Sequence, residues 1–92
     1  MPLTKRVSFK TILQKNNRVQ IPRLVRTQYK LEPFEVLKVT ASVTGLVVFS
    51  ESFFARMQKG GRIVIPKLTL DLLRHDEPSL EGYAIEVTLE PA

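Results

Sequence analysis

The sequence has no cysteine, no tryptophan and a single histidine. Without cysteine there is neither a disulfide framework nor a thiolate metal site, which suits a reducing cytoplasm. No apolar run approaches the ~20 residues of a membrane-spanning helix. Met1-Pro2-Leu3-Thr4-Lys5-Arg6 offers no apolar core for a secretory signal. A cytoplasmic location is therefore expected. The one histidine, His75, has Asp71, Asp76 and Glu77 near it in sequence, but a lone histidine at a helix end suits terminal carbonyls better than a metal. Ser50 and Ser52 lack a positioned base, and Glu35, Glu51, Glu81 and Glu86 show no spacing for paired acid–base work. Gly60-Gly61 lacks the lysine-bearing phosphate loop. Neither enzymatic activity nor a metal or cofactor is expected.

Ninety-two residues make one domain, 1–92, whose two halves differ in charge. Residues 1–46 hold nine Lys or Arg against two acidic residues, and residues 47–92 hold five against seven. The imbalance implies one basic face and one neutral or acidic face.

Val7, Phe9, Thr11 and Leu13 alternate with Arg6, Ser8, Lys10 and Ile12 at period two, which predicts a strand over 5–14. Lys15-Asn16-Asn17 is a turn in which asparagine tolerates a left-handed backbone. A short strand follows over Arg18 to Ile21, and Pro22 opens a helix to about Lys30. Val25 and Tyr29, with Leu24, form its inward stripe, Arg23, Arg26 and Lys30 a basic stripe on another face, and Pro33 stops it. Phe34 to Val43 is a third strand, and Val43-Thr44-Gly45 a turn. Leu46 to Met57 and Arg62 to Ile65 are strands, and Pro66 begins a helix with Leu68, Leu72 and Leu73 inward. Tyr83 to Leu89 is the last strand.

The chain repeats itself. Gln14-Lys15-Asn16-Asn17-Arg18-Val19-Gln20-Ile21-Pro22-Arg23-Leu24 returns as Gln58-Lys59-Gly60-Gly61-Arg62-Ile63-Val64-Ile65-Pro66-Lys67-Leu68, at an offset of 44. Over residues 8–24 eight of seventeen positions are identical, and after the helix the offset becomes 48, so that Leu37, Val39 and Ala41 match Ile85, Val87 and Leu89. Two β-β-α-β units, about 5–45 and 46–92, give a mainly β chain of six strands and two short helices. Neither unit buries its apolar face alone. Wrapping both around a pseudo-two-fold axis into a six-stranded barrel removes exposed edges. The expected interior is Val7, Phe9, Leu13, Val19, Ile21, Leu37, Val39, Phe53, Met57, Ile63, Ile65, Ile85, Val87 and Leu89.

Gly61-Arg62-Ile63-Val64-Ile65-Pro66, and Asn17-Arg18-Val19-Gln20-Ile21-Pro22 with Asn for Gly, resemble the signature of the AbrB/SpoVT-like proteins among the cradle-loop barrels. The resemblance implies DNA binding, as in transcription regulators and antitoxins. Both units lie in one chain, and three plus three strands are similar to the RIFT topology. A stand-alone archaeal RIFT-like barrel, monomeric rather than a swapped dimer hinged at Val43-Thr44-Gly45, is the expectation. The family reading gives Arg18 and Arg62 phosphate or base contact, whereas the structural reading gives them carboxylates or carbonyls to pair. Lys5, Arg6, Lys10, Lys15, Arg23, Arg26 and Lys30 complete the candidate nucleic-acid-binding set. The alternatives are a flavin- or nucleotide-binding RIFT barrel and a translation-associated interaction barrel.

Overall fold

The computed structural model of the protein describes residues 3–43, 49–74 and 79–92. The expected turn at Thr44-Gly45, the start of the long strand at Leu46, and His75 with Asp76, Glu77 and Pro78 lie outside them.

Among the described residues there are six strands and two α-helices, with a 3₁₀ turn at Lys15–Asn17: β1 (Val7–Ile12), β2 (Arg18–Gln20), α1 (Arg23–Gln28), β3 (Val36–Val43), β4 (Phe49–Arg56), β5 (Arg62–Val64), α2 (Lys67–Arg74) and β6 (Ala84–Pro91). The ladders form two open sheets rather than one closed ring. One is four-stranded and antiparallel in the order β1-β6-β3-β4, and the other is a ribbon of β2 against β5. Strands β1 and β4 are thus edges, where full closure was expected.

The registers are reciprocal. In the ribbon Val19 faces Ile63, while Arg18 faces Val64 and Gln20 faces Arg62. In the large sheet Thr40 faces Thr88, Val39 faces Leu89 and Ala41 faces Val87. The outer pairs follow the same exchange: Phe9 faces Val87 and Phe53 faces Val39. Hydroxyls bridge these rungs on the outward face, with Ser8 Oγ 2.8 Å from Thr88 Oγ1 and Thr40 Oγ1 2.8 Å from Ser52 Oγ.

Alternation along the strands sends one side of each into a single core. Twelve of the fourteen expected interior residues are buried, and Phe9 and Phe53 pack half-buried against them. Leu3, Ala41, Leu70, Leu73 and Leu80 complete the cluster. The helix stripes differ in part from expectation. Val25, Tyr29 and Leu73 face inward as expected, but Leu24, Leu68 and Leu72 point outward, and α2 buries Thr69 and Leu70 beside Leu73. The phase of α2 is set by its entry, where Ile65 N–H donates to Asn17 O at 2.8 Å, so leucine spacing alone does not decide it.

Helix α1 is also shorter than predicted. Pro22 is its N-cap rather than its first residue. It ends in a Schellman arrangement, with Leu31 N–H donating to Arg26 O at 3.0 Å and Lys30 N–H to Thr27 O at 3.3 Å. Lys30 takes the left-handed position, φ 55°, usually given to glycine. The chain therefore leaves the helix before Pro33, and Lys30 is not part of a helical basic stripe. Phe34, expected to start β3, sits outside it at φ 67°.

Candidate nucleic-acid interface

The two hairpin turns that carry the ribbon bend through left-handed residues: Asn16 and Asn17 (φ 62° and 59°) in one, Gly60 and Gly61 (φ 93° and 83°) in the other. Each turn is closed by a matching bond, Gln14 N–H to Arg18 O and Gln58 N–H to Arg62 O, both 2.8 Å. Each helix then starts against the opposite turn. Ile21 N–H donates to Gly61 O and Ile65 N–H to Asn17 O, both at 2.8 Å. The Gln20 amide adds a tie, Nε2 to Gly60 O at 2.7 Å.

This folding sets cations from both halves of the chain on the ribbon and in the turns and helix starts joined to it. Arg18 and Arg62 occupy the outward side of the ribbon, because Val19 and Ile63 between them are sealed in the core. They stand diagonally across the two strands, where neighbours are separated by roughly 7–8 Å. Arg18 is half-buried, and its Nε is enclosed without a hydrogen-bond partner among the described residues. Such a group calls for an explanation, because burying an unpaired donor costs about 1–3 kcal/mol. Lys15 and Lys59 lie exposed in the two turns, and Arg23 and Lys67 are the exposed first residues of the two helices. Neither helix has an acidic residue in its first turn.

Arg26 plays another part. Its Nε donates to Ile21 O at 3.2 Å, and its side chain lies over Gly61. It braces the junction of α1 with the opposite turn. The residue at the corresponding place in α2 is Leu70, and there a groove of about 300 Å³ opens, lined by Gln14, Asn17, Lys67, Asp71, Arg74 and Glu81 among others. Asp71 is held by Arg74 at 3.1 Å. Among the described residues no group of three or more His, Asp or Glu is placed to hold a metal ion, and no helix is long and apolar enough to cross a membrane.

The remaining candidates lie elsewhere. Lys10 is on the outward face of β1, in register with Glu86 of β6. Lys5 and Arg6 precede β1, and the length of that strand, roughly 20 Å, separates them from the turn. Lys30 follows α1. The sequence-based set omitted Lys59 and Lys67, although both repeat Lys15 and Arg23 at the offset of 44. The signal that finds them is an absence of acid: residues 14–30 and 58–70 carry eight of the fourteen cations and no Asp or Glu.

No protein-family model matches the chain, and no curated protein does. Among solved structures the chain is similar to PHS018 from Pyrococcus horikoshii, determined in solution, at 25% identity and a TM-score of 0.80 over 99% of this chain and 94% of that one.

Proposed function

We propose that this protein is a RIFT-like cradle-loop barrel of two β-β-α-β repeats, related to the AbrB/SpoVT-like proteins, that binds nucleic acid without catalysis. The reciprocal registers of ribbon and large sheet support the two-repeat reading. The observation that carries the binding reading is the paired cations of the two ribbon segments, neither of which carries an acid of its own. Lys15, Arg18 and Arg23 are matched there by Lys59, Arg62 and Lys67 across the two strands, with no carboxylate in either segment.

A phosphate backbone suits that surface. Arg18 and Arg62 lie on the outward side of the ribbon, and arginine forks match phosphate oxygens in pairs. Arg23 and Lys67 stand at helix starts, where the macrodipole already favours an anion. The fold itself gains nothing from a cation at those places. A small-ligand barrel would use the groove beside α2, but Asp71 and Glu81 offset Lys67 and Arg74 there.

The test is binding of the purified protein to labelled random duplex DNA, duplex RNA and single strands across a salt series. Each phosphate neutralised contributes about 0.9 to the slope of log K against log salt. The six paired cations predict a slope of about −5 when all are engaged, and Arg18→Gln with Arg62→Gln lowers its magnitude by about 2. Lys5→Gln with Arg6→Gln leaves it unchanged. Absence of binding at low salt, or an equal effect of the two double variants, overturns the reading.

A further inference from the structure

Leu24 and Leu68 are 75% and 72% exposed, and each is the second residue of its helix. Other apolar residues shared at the offset of 44 have a place in the core: Ile21 and Ile65 are sealed, and Phe9 and Phe53 pack against the cluster. The leucines have none. Helix α2 packs through Thr69, Leu70 and Leu73, on the side away from Leu68, and α1 leans inward through Val25. Yet leucine stands at both positions, while the residues that follow have diverged from Val25-Arg26-Thr27 to Thr69-Leu70-Asp71. Each leucine follows a proline and a cation, in Pro22-Arg23-Leu24 and Pro66-Lys67-Leu68. Each is thereby set at the rim of the cationic ribbon end, one residue beyond a candidate phosphate contact.

Resting on the nucleic-acid reading above, we infer that the occupant of this end is duplex DNA, and that Leu24 and Leu68 are paired wedges that enter its minor groove and loosen the stack between base pairs. The exchange that relates the two leucines is the one that sets Val19 against Ile63 and crosses the Ile21–Gly61 and Ile65–Asn17 bonds. A B-form duplex has two-fold axes perpendicular to its length, and a single strand has none. The cations answer the phosphates. An exposed leucine gains on binding only where the ligand offers apolar surface, which in duplex DNA is the base stack or, in the major groove, the thymine methyl; of the two, the stack is what a paired wedge can enter. Proteins that bend DNA use apolar wedges between base steps in this way, accepting the loss of stacking for a wider contact.

The experiment uses duplexes carrying 2-aminopurine at chosen steps, whose fluorescence rises on unstacking, and end-labelled duplexes that report bending by energy transfer. The proteins are the full chain, Leu24→Ala, Leu68→Ala and the double variant, each with its melting temperature recorded. The full chain is expected to raise the fluorescence and bring the duplex ends together. Each single variant binds about tenfold more weakly, the loss anticipated for one leucine no longer buried. The double variant gives no fluorescence rise yet keeps the salt slope. Binding with a normal salt slope but no unstacking overturns the wedges and leaves the nucleic-acid reading intact. So does equal affinity of the double variant, or tighter binding to duplex RNA than to DNA. Leucine-dependent attachment to anionic vesicles without leucine-dependent DNA binding assigns the pair to a lipid surface. A dimer in sedimentation that the double variant dissolves assigns it to a second copy. Failure of the full chain to bind any nucleic acid at low salt overturns both readings together.

Discussion

Replacing Gly61 by alanine tests how the ribbon end is braced. Gly60 and Gly61 both have positive φ, 93° and 83°, but a Cβ at Gly60 meets nothing within 4 Å, whereas one at Gly61 falls 2.4 Å from Arg26 Nε and 2.7 Å from Arg26 Cζ. An L-residue in the left-handed region costs about 1–2 kcal/mol, less about 0.4–1 kcal/mol recovered because the unfolded chain is stiffer. Gly60→Ala therefore destabilises by about 0.5–1 kcal/mol. Gly61→Ala adds the eviction of Arg26 and the loss of its 3.2 Å bond to Ile21 O, a further ~1 kcal/mol at this half-exposed site. For a domain of this size 1 kcal/mol corresponds to about 4–8 °C in Tm. Thermal denaturation should show a fall of roughly 3–8 °C for Gly60→Ala and about twice that for Gly61→Ala. In an Arg26→Ala background the two alanines should become equal. Equal effects in the parent chain, or an excess at Gly61 that survives removal of Arg26, would refute the brace.

Other outcomes follow from single contacts. Arg23→Glu replaces a cation at a helix start with an anion, and should stabilise by about 0.5–1 kcal/mol while weakening DNA binding; melting and binding measured on the same sample check the opposed signs. Leu73→Ala, at a sealed position, should cost about 2–5 kcal/mol in chemical denaturation, while Leu72→Ala on the outward side of α2 should change stability by less than about 0.5 kcal/mol. Phe34 is exposed at φ 67°, where Gly82 occupies the corresponding place at φ 85°. Phe34→Gly should thus raise Tm by a few degrees, unlike most aromatic-to-glycine changes.

The strands and turns were legible because their signals are local. Period two at Val7, Phe9 and Leu13 names the buried side without knowledge of the partner strand. Gly60-Gly61 shows what backbone Asn16-Asn17 must adopt. The helix faces were legible only in part, at Val25, Tyr29 and Leu73, because both helices are too short for periodicity to fix their phase. Leu68 and Leu72, one turn apart, look like an inward stripe. The strand-to-helix bond at Ile65 turns α2 so that Thr69 is buried in their stead. The end of α1 was misread for a related reason: a Schellman closure with lysine at its left-handed position leaves no glycine to mark it. At the candidate site, Arg18 and Arg62 were recognisable as a pair, but their meeting across the ribbon depends on a register between residues 44 apart. Counting charge by halves of the chain drew attention to Lys5 and Arg6, which precede β1, and Lys10, which lies on it, and away from Lys59 and Lys67.

Several departures from ordinary folding chemistry meet at the ribbon, in addition to others such as Phe34, exposed at φ 67°, and the exposed Phe54. The core follows expectation: one apolar cluster, hydroxyls bridged across the rungs of the large sheet, a helix closed by paired carbonyl contacts. At the ribbon end a guanidinium nitrogen is enclosed without a partner, both helices begin on a cation, and two leucines stand in water. Local rules broken without a structural gain are the mark of a functional surface. A single such lapse is explained by drift. The cation at the helix start and the exposed leucine, however, each occur twice, 44 residues apart, in segments whose neighbouring residues have changed. An account of this end as plain solvated surface must explain why unfavourable choices were kept in both places, and a ligand that meets both places at once does so directly.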